Sequence, residues 1–112
     1  MMDEIRAMLF SIGVEVPVAF VIALTHGRKI AGLAAAAAGF GTMLTHPFVW
    51  YGALALFRLV DYWVAVAIVE TFAVLGEWPI YMFLTGFLWR RALLVSLAAN
   101  GGSFLLGLWL FG

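Results

Sequence analysis

Four apolar runs, separated by short polar clusters, constrain this chain to a membrane fold. They cover residues 7–25, 30–51, 63–88 and 92–110. A helix rises 1.5 Å per residue, so about 20 apolar residues cross the roughly 30 Å of hydrocarbon in a bilayer. Within the bilayer, only helices and closed barrels pair all of their backbone polar groups. The sequence therefore predicts an all-α fold, a polytopic membrane helical bundle with four transmembrane helices.

The composition agrees with a membrane protein and excludes several classes of function. Hydrophobic residues make up 66% of the chain and charged residues 11%, whereas a soluble domain has about 45–50% and about 25%. The net charge is zero, so there is no basic field to attract nucleic acid. The absence of cysteine excludes disulfides, thiolate metal sites and a cysteine nucleophile. Motifs of hydrolases, metalloproteases and phosphate-binding loops are also missing, so we expect no enzymatic activity.

A motif of residue types that are rare in membrane spans occurs twice, with a constant offset of 62 positions. Each copy reads Glu-x-Pro, ten further residues, and two basic residues. The matched pairs are Glu15 with Glu77, Pro17 with Pro79, Arg28 with Arg90, and Lys29 with Arg91. This pattern predicts two tandem hairpin repeats, 1–51 and 63–112, joined by a connecting segment at 52–62. Residues 52–60 fit either a short interfacial helix or an extension of a neighbouring span.

The basic residues predict how the chain is oriented in the membrane. Lys and Arg are enriched in cytoplasmic loops. The two short turns on one side hold four of the six basic residues, and Arg6 and Arg58 lie on the other side. We therefore expect a bacterial or archaeal inner-membrane protein with extracytoplasmic termini. Its cytoplasmic turns would be those marked by Arg28, Lys29, Arg90 and Arg91.

Two carboxyl groups deep in the apolar runs predict the functional site. An ionisable group within a span costs several kcal/mol and marks a functional site by default. Glu15 and Glu77 each precede the next basic turn by 13 residues, which places both roughly 20 Å from that surface. Other polar residues lie at similar depth or on a path toward it. We predict a proton- or cation-binding site formed by Glu15, Glu77, Glu70, Asn100, Ser103 and Thr42.

The prolines two residues after each glutamate predict helix kinks. Proline has no backbone N–H and clashes with the carbonyl four residues earlier. Pro17 would leave the carbonyl of Gly13 without a donor, and Pro79 that of Leu75. A free carbonyl beside a carboxylate is one way in which broken transporter helices bind small cations.

Three functions fit these residues. The first is a small proton- or cation-linked transporter or channel acting through paired glutamates, expected as a homo-oligomer because four helices barely enclose a path. The second is a non-catalytic accessory subunit of a larger energy-transducing membrane complex, in which a glutamate pairs with a basic residue of a partner. In the third, a protonated glutamate only joins helices by hydrogen bonds.

His46, near the outer end of the second run, is the one candidate ligand for a cofactor. Histidine can hold haem or a chlorophyll-type pigment, or carry protons. A histidine near a helix end more often caps it or makes a single hydrogen bond. We therefore predict no cofactor and no metal site.

Overall fold

The computed structural model describes residues 3–111 and consists of four α-helices in that range. They are α1 (Glu4–Ala23), α2 (Arg28–Leu56), α3 (Tyr62–Thr85) and α4 (Trp89–Phe111), and a 3-10 turn, Leu24–His26, follows α1. The described residues contain no strand. The prediction of an all-helical bundle is confirmed.

Three of the helices are long and apolar enough to cross a membrane. These are α1 with its 3-10 extension (Glu4–His26), α3 and α4. With 29 residues α2 is the longest helix, but its many alanines and glycines, together with Thr42, Thr45 and His46, make it less apolar. The structure therefore supports a membrane location, and the crossing by α2 stays a prediction.

The helices pack as a closed ring in which each contacts the next along the chain and α4 returns to α1. The bundle is elongated, with extents of 44 × 25 × 20 Å. Short turns make consecutive helices antiparallel, so both tight turns lie at one end. We call this the basic end, since Arg28, Lys29, Arg90 and Arg91 follow those turns. The opposite end, with the α2–α3 connection, is the wide end.

Glycines and aspartates set the helix boundaries. Gly27 and Gly86 have φ of 101° and 75°, values that L side chains rarely adopt, and each ends the helical stretch before it. Asp61 begins α3 by accepting a hydrogen bond from the N–H of Trp63 at 3.1 Å. Arg28 and Arg90 thus lie in first helical turns instead of in loops.

The connection between the hairpins is shorter than the sequence pattern predicted. Residues 52–56 continue α2, so the connection comprises residues 57–61. The sequence Ala53–Leu56 alternates alanine and leucine, both strong helix formers. The helix therefore runs past the aromatic pair at Trp50 and Tyr51, which had marked the predicted end of this span.

Small apolar residues fill the core at the basic end. Alanines from α1, α2 and α4 are fully buried there, and Tyr81 and Phe87 are the largest side chains among them. Small residues let membrane helices approach closely. The interior is therefore tightly closed at the basic end, and the two buried glutamates, Glu15 and Glu77, lie further toward the wide end.

Candidate functional site

A polar cavity lies between the four helices, on the wide-end side of the alanine core. Its volume is about 50 Å³, and a water molecule needs only about 10–15 Å³ measured with a water-sized probe. We call it the glutamate cavity. All six residues of the predicted site line it, together with His46. The lining residues are Ser11, Glu15, Thr42, Thr45, His46, Val49, Glu70, Ala73, Glu77, Asn100 and Ser103.

Glu15 is held by both helices that flank α1. Its carboxyl group is buried, with the residue only 2% exposed. The hydroxyl of Thr42 on α2 donates to Oε1 at 2.9 Å, and the hydroxyl of Ser103 on α4 donates to Oε2 at 2.8 Å. Each carboxyl oxygen therefore faces a hydroxyl of another helix, although the Ser103 hydroxyl also lies 3.0 Å from the carbonyl oxygen of Asn100 and can donate to only one of the two at a time.

Glu77 is equally buried but less fully bonded. It is 1% exposed, and its Oε2 lies 3.0 Å from the hydroxyl of Thr45. That hydroxyl is also 3.0 Å from the carbonyl oxygen of Gly41, and its single proton can be donated to only one acceptor at a time. Within residues 3–111, Oε1 of Glu77 has no hydrogen-bond partner. Glu77 thus keeps a free oxygen that can bind a proton, a water molecule or a cation.

Tyr81 carries a second unpartnered polar atom. It lies one helical turn from Glu77 on α3, toward the basic end, and is fully buried. Its hydroxyl has no hydrogen-bond partner within the described residues. An unsatisfied buried hydroxyl costs about 1–3 kcal/mol. Tyr81 is not among the predicted site residues, although its spacing of four from Glu77 places the two on one helix face.

The polar residues of α4 are tied mainly to the backbone. The amide of Asn100 donates to the carbonyl of Ser96 at 2.9 Å. The hydroxyl of Ser96 donates to the carbonyl of Val74 on α3, also at 2.9 Å. Asn100 therefore lines the cavity as part of a network that joins α4 to α3, whereas Ser103 bonds directly to a glutamate.

A larger pocket at the wide end adjoins the glutamate cavity. It has a volume of about 330 Å³, and we call it the vestibule. Residues common to both linings are Ser11, His46, Val49, Glu70 and Ser103. The glutamate cavity therefore adjoins an open pocket on its wide-end side. On its other side, the alanine core closes the basic end.

His46 is engaged by its neighbours at the border of the vestibule. Its Nδ1 lies 3.3 Å from Oε1 of Glu4 on α1, and its ring stacks on Trp50 with centroids 6.2 Å apart. No pattern in the sequence singles out Glu4. Among the described residues, no group of three or more His, Asp or Glu side chains is arranged to hold a metal.

The prolines lie away from the cavity. Pro17 and Pro79 are exposed, as are Gly13 and Leu75, four residues before them. The helices continue through both prolines. None of these four residues lines the glutamate cavity, and the kinks with their freed carbonyls stay a prediction.

Lys and Arg side chains are also missing from the cavity lining. At the basic end, Arg28, Lys29, Arg90 and Arg91 are all exposed. Over residues 3–111, the acid–base pairs are Arg6 with Asp3 and His46 with Glu4. The described part of the chain therefore supplies Glu15, Glu70 and Glu77 with no lysine or arginine as counter-charge.

Comparison with protein-family models, curated proteins and solved structures found no match for this chain. What the site does must therefore be inferred from its residues and their geometry.

Proposed function

We propose that this protein is a small membrane transporter that moves cations or protons through the cavity formed by Glu15 and Glu77. One observation carries the proposal. Two carboxyl groups from different helices share a small, buried cavity, and no Lys or Arg side chain lines it.

The electrostatics of this cavity favour a positively charged ligand. Two carboxylates that line a cavity of about 50 Å³ repel each other strongly, because both are buried away from bulk water and no Lys or Arg side chain lines the cavity. A proton on either group, or a cation between them, relieves the repulsion. Binding and release of such a charge is the elementary step of proton- or cation-linked transport.

The two glutamates are suited to different roles. Each oxygen of Glu15 faces a hydroxyl of another helix, that of Thr42 or that of Ser103, so Glu15 forms the more fixed wall of the site. Glu77 has a free oxygen and shares the hydroxyl of Thr45 with a carbonyl. We therefore assign ligand exchange to Glu77, with Glu15 supplying the constant part of the site.

A transporter must open its binding site to one side of the membrane at a time. In this bundle, the two ends differ in the access that they allow to the glutamate cavity. The vestibule adjoins the glutamates on the wide-end side, while the alanine core, with Tyr81 and Phe87, blocks the basic end. This shape corresponds to a transporter open toward the wide end. Separation of the helices at the basic end would complete the cycle.

Our proposal includes four spans and an orientation. Although less apolar than the others, α2 has 29 residues and is thus about 43 Å long, and it packs antiparallel between α1 and α3. The excess of Lys and Arg places the basic end in the cytoplasm.

We also infer that the two hairpins are repeats, and one pair of contacts supports this beyond the sequence. Ser103 on α4 donates to Glu15, while Gly41 on α2 lies against Glu77. Residues 41 and 103 differ by 62 positions, as residues 15 and 77 do. Equivalent helix positions thus face equivalent carboxyl groups, which is expected of two hairpins related by an axis along the membrane normal.

The test is ion flux through the purified chain in lipid vesicles. With an internal pH dye and imposed proton, Na⁺ or K⁺ gradients, wild-type protein should give flux. The double variant Glu15→Gln/Glu77→Gln should fall to the level of empty vesicles. Asp3→Asn, which changes an exposed carboxylate, is the matched control and should keep wild-type flux. Unchanged flux in the double variant would overturn the proposal, and flux that requires other subunits would favour an accessory role in a complex.

A further inference from the structure

Glu70 occupies a junction between three spaces in the bundle. It lines the glutamate cavity, the vestibule, and a groove of about 450 Å³ between α3 and α4. Among the residues that line these spaces, Glu70 alone belongs to all three. It is also half-buried, so its carboxyl group is accessible to a molecule in the vestibule. The mechanism proposed above uses Glu15 and Glu77 and leaves this third carboxyl group without a role.

Aromatic side chains surround the space beside Glu70. Five of them line the vestibule and come from all four helices. They are Phe10, Trp50, Tyr62, Phe104 and Phe111. Phe104 also lines the α3–α4 groove, so an aromatic ring and a carboxyl group meet at the border between vestibule and groove.

The groove adds an apolar surface next to the same carboxyl group. Its walls include Leu75, Leu93 and Leu97, and its polar residues are Glu70, Thr71 and Asn100. No Lys or Arg side chain lines the vestibule or the groove. A ligand at Glu70 would thus have a negative charge on one side and aromatic or aliphatic surface on the others.

This combination selects one class of ligand. A small inorganic cation is too small to contact most of these aromatic side chains. An anion would be repelled by the Glu70 carboxylate. A neutral apolar molecule would gain nothing from the carboxylate. Organic cations with aryl or alkyl substituents use both parts, because aromatic faces attract a cation and also bury its substituents. The vestibule volume of about 330 Å³ lies in the usual range for small-molecule sites, roughly 300–1,000 Å³.

We propose that the vestibule binds an amphipathic organic cation, with its charge at Glu70 and its substituents against the aromatic side chains. This inference rests on the proposed transport function and names the class of cation that is transported. Arrival of one such cation beside Glu70 adds one positive charge to the site. Loss of one proton from the neighbouring glutamate cavity would restore the balance, so the two sites together are suited to exchange of a cation for a proton.

Binding of tetraphenylphosphonium to the purified full-length chain in detergent, measured by calorimetry, tests the inference. Glu70→Gln should weaken binding by about tenfold or more, and Phe104→Leu by several-fold. Phe83→Leu is the matched control for Phe104→Leu, because Phe83 is 87% exposed and lies outside the vestibule. It should bind as wild type.

A neutral probe keeps the test decisive if Glu70→Gln does not fold. Triphenylphosphine oxide has similar aryl groups and no net charge, so wild-type protein should bind it at least about tenfold more weakly than tetraphenylphosphonium. Equal affinity for the two probes, or wild-type affinity in folded Glu70→Gln, would overturn the inference and leave the aromatic side chains as a membrane-interface belt.

The outcome can be separated from that of the transport proposal. If flux depends on Glu15 and Glu77 but tetraphenylphosphonium does not require Glu70, only the organic-cation inference fails. If the double glutamine variant keeps full flux, the transport proposal fails, even where the vestibule binds the probe.

Discussion

Gly41 on α2 leaves open the space that the side chain of Glu77 on α3 occupies. A Cβ atom added at Gly41 would lie 2.9 Å from Cγ of Glu77 and 3.5 Å from its Cδ. Contacts below 3.0 Å are essentially never formed by real Cβ atoms, so any larger residue would displace the glutamate or separate the helices. The position of one buried carboxyl group thus depends on a glycine of the neighbouring hairpin.

Replacing Gly41 by alanine should therefore damage both stability and flux. Overpacking of a tight interior costs about 1–3 kcal/mol, and a displaced Glu77 would lose its contact with Thr45. Gly32→Ala is the matched control on the same helix, because nothing lies within 4 Å of the added Cβ. Alanine in a helix interior should stabilise that variant by roughly 0.5–1 kcal/mol. Unfolding in mixed detergent measures both variants, and equal stability would contradict the packing argument.

The two hydroxyls that hold Glu15 should each contribute measurably to stability. Removing one partner of a buried hydrogen bond costs about 1–3 kcal/mol, so we expect Thr42→Ala and Ser103→Ala each to lower the free energy of unfolding by that amount. Ser11→Ala is the control, because Ser11 lines the same cavity but does not bond to either glutamate. Losses no larger than that of Ser11→Ala would show that Glu15 is not held as the structure indicates.

Tyr81→Phe should separate a structural role from a functional one. The substitution removes a buried hydroxyl without a partner, so the free energy of unfolding should stay the same or rise by up to about 1 kcal/mol. The hydroxyl extends the polar region from Glu77 toward the basic end, so we expect proton flux to slow. Tyr81→Ala should instead destabilise the fold by about 3–5 kcal/mol, because it leaves a cavity. Wild-type flux in a folded Tyr81→Phe protein would exclude the hydroxyl from the proton path.

The buried carboxyl groups could be located from the sequence for a physical reason. Acidic residues are costly inside a membrane span, so Glu15 and Glu77 were evident from their positions in apolar runs, and the regular helix rise placed Thr42, Asn100 and Ser103 at similar depth. All of them line the glutamate cavity. Thr45 was overlooked, although its spacing of three from Thr42 puts both hydroxyls on one helix face.

Other features depend on contacts that no local pattern contains. The role of Gly41 follows from its distance to a side chain of another hairpin, and Glu4 meets His46 across 42 positions of sequence. The end of α2 was left open between two alternatives, because residues 52–56 are apolar and fit equally well on either side of a boundary. Pro17 is close to Glu15 along the chain, but a spacing of two positions places the two residues about 200° apart around a helix, so Pro17 is exposed where Glu15 is buried.

The predicted topology can be tested by single-cysteine labelling, because the chain has no cysteine of its own. Lys29 and Arg91 follow the two turns of the basic end, Arg58 lies in the connection at the wide end, and all three are exposed. In intact cells, a membrane-impermeant maleimide should label Arg58→Cys and leave Lys29→Cys and Arg91→Cys unlabelled until the membrane is permeabilised.

The pattern of labelling decides two separate points. If Lys29→Cys and Arg58→Cys label from opposite sides, α2 crosses the membrane despite its lower apolarity, and the four-span arrangement holds. If they label from the same side, α2 does not cross. The vestibule and the basic end would then face one compartment, and the cavity between the glutamates could not connect two. Labelling of Lys29→Cys and Arg91→Cys from outside, with Arg58→Cys protected, would keep the four spans but reverse the orientation that the basic residues predict.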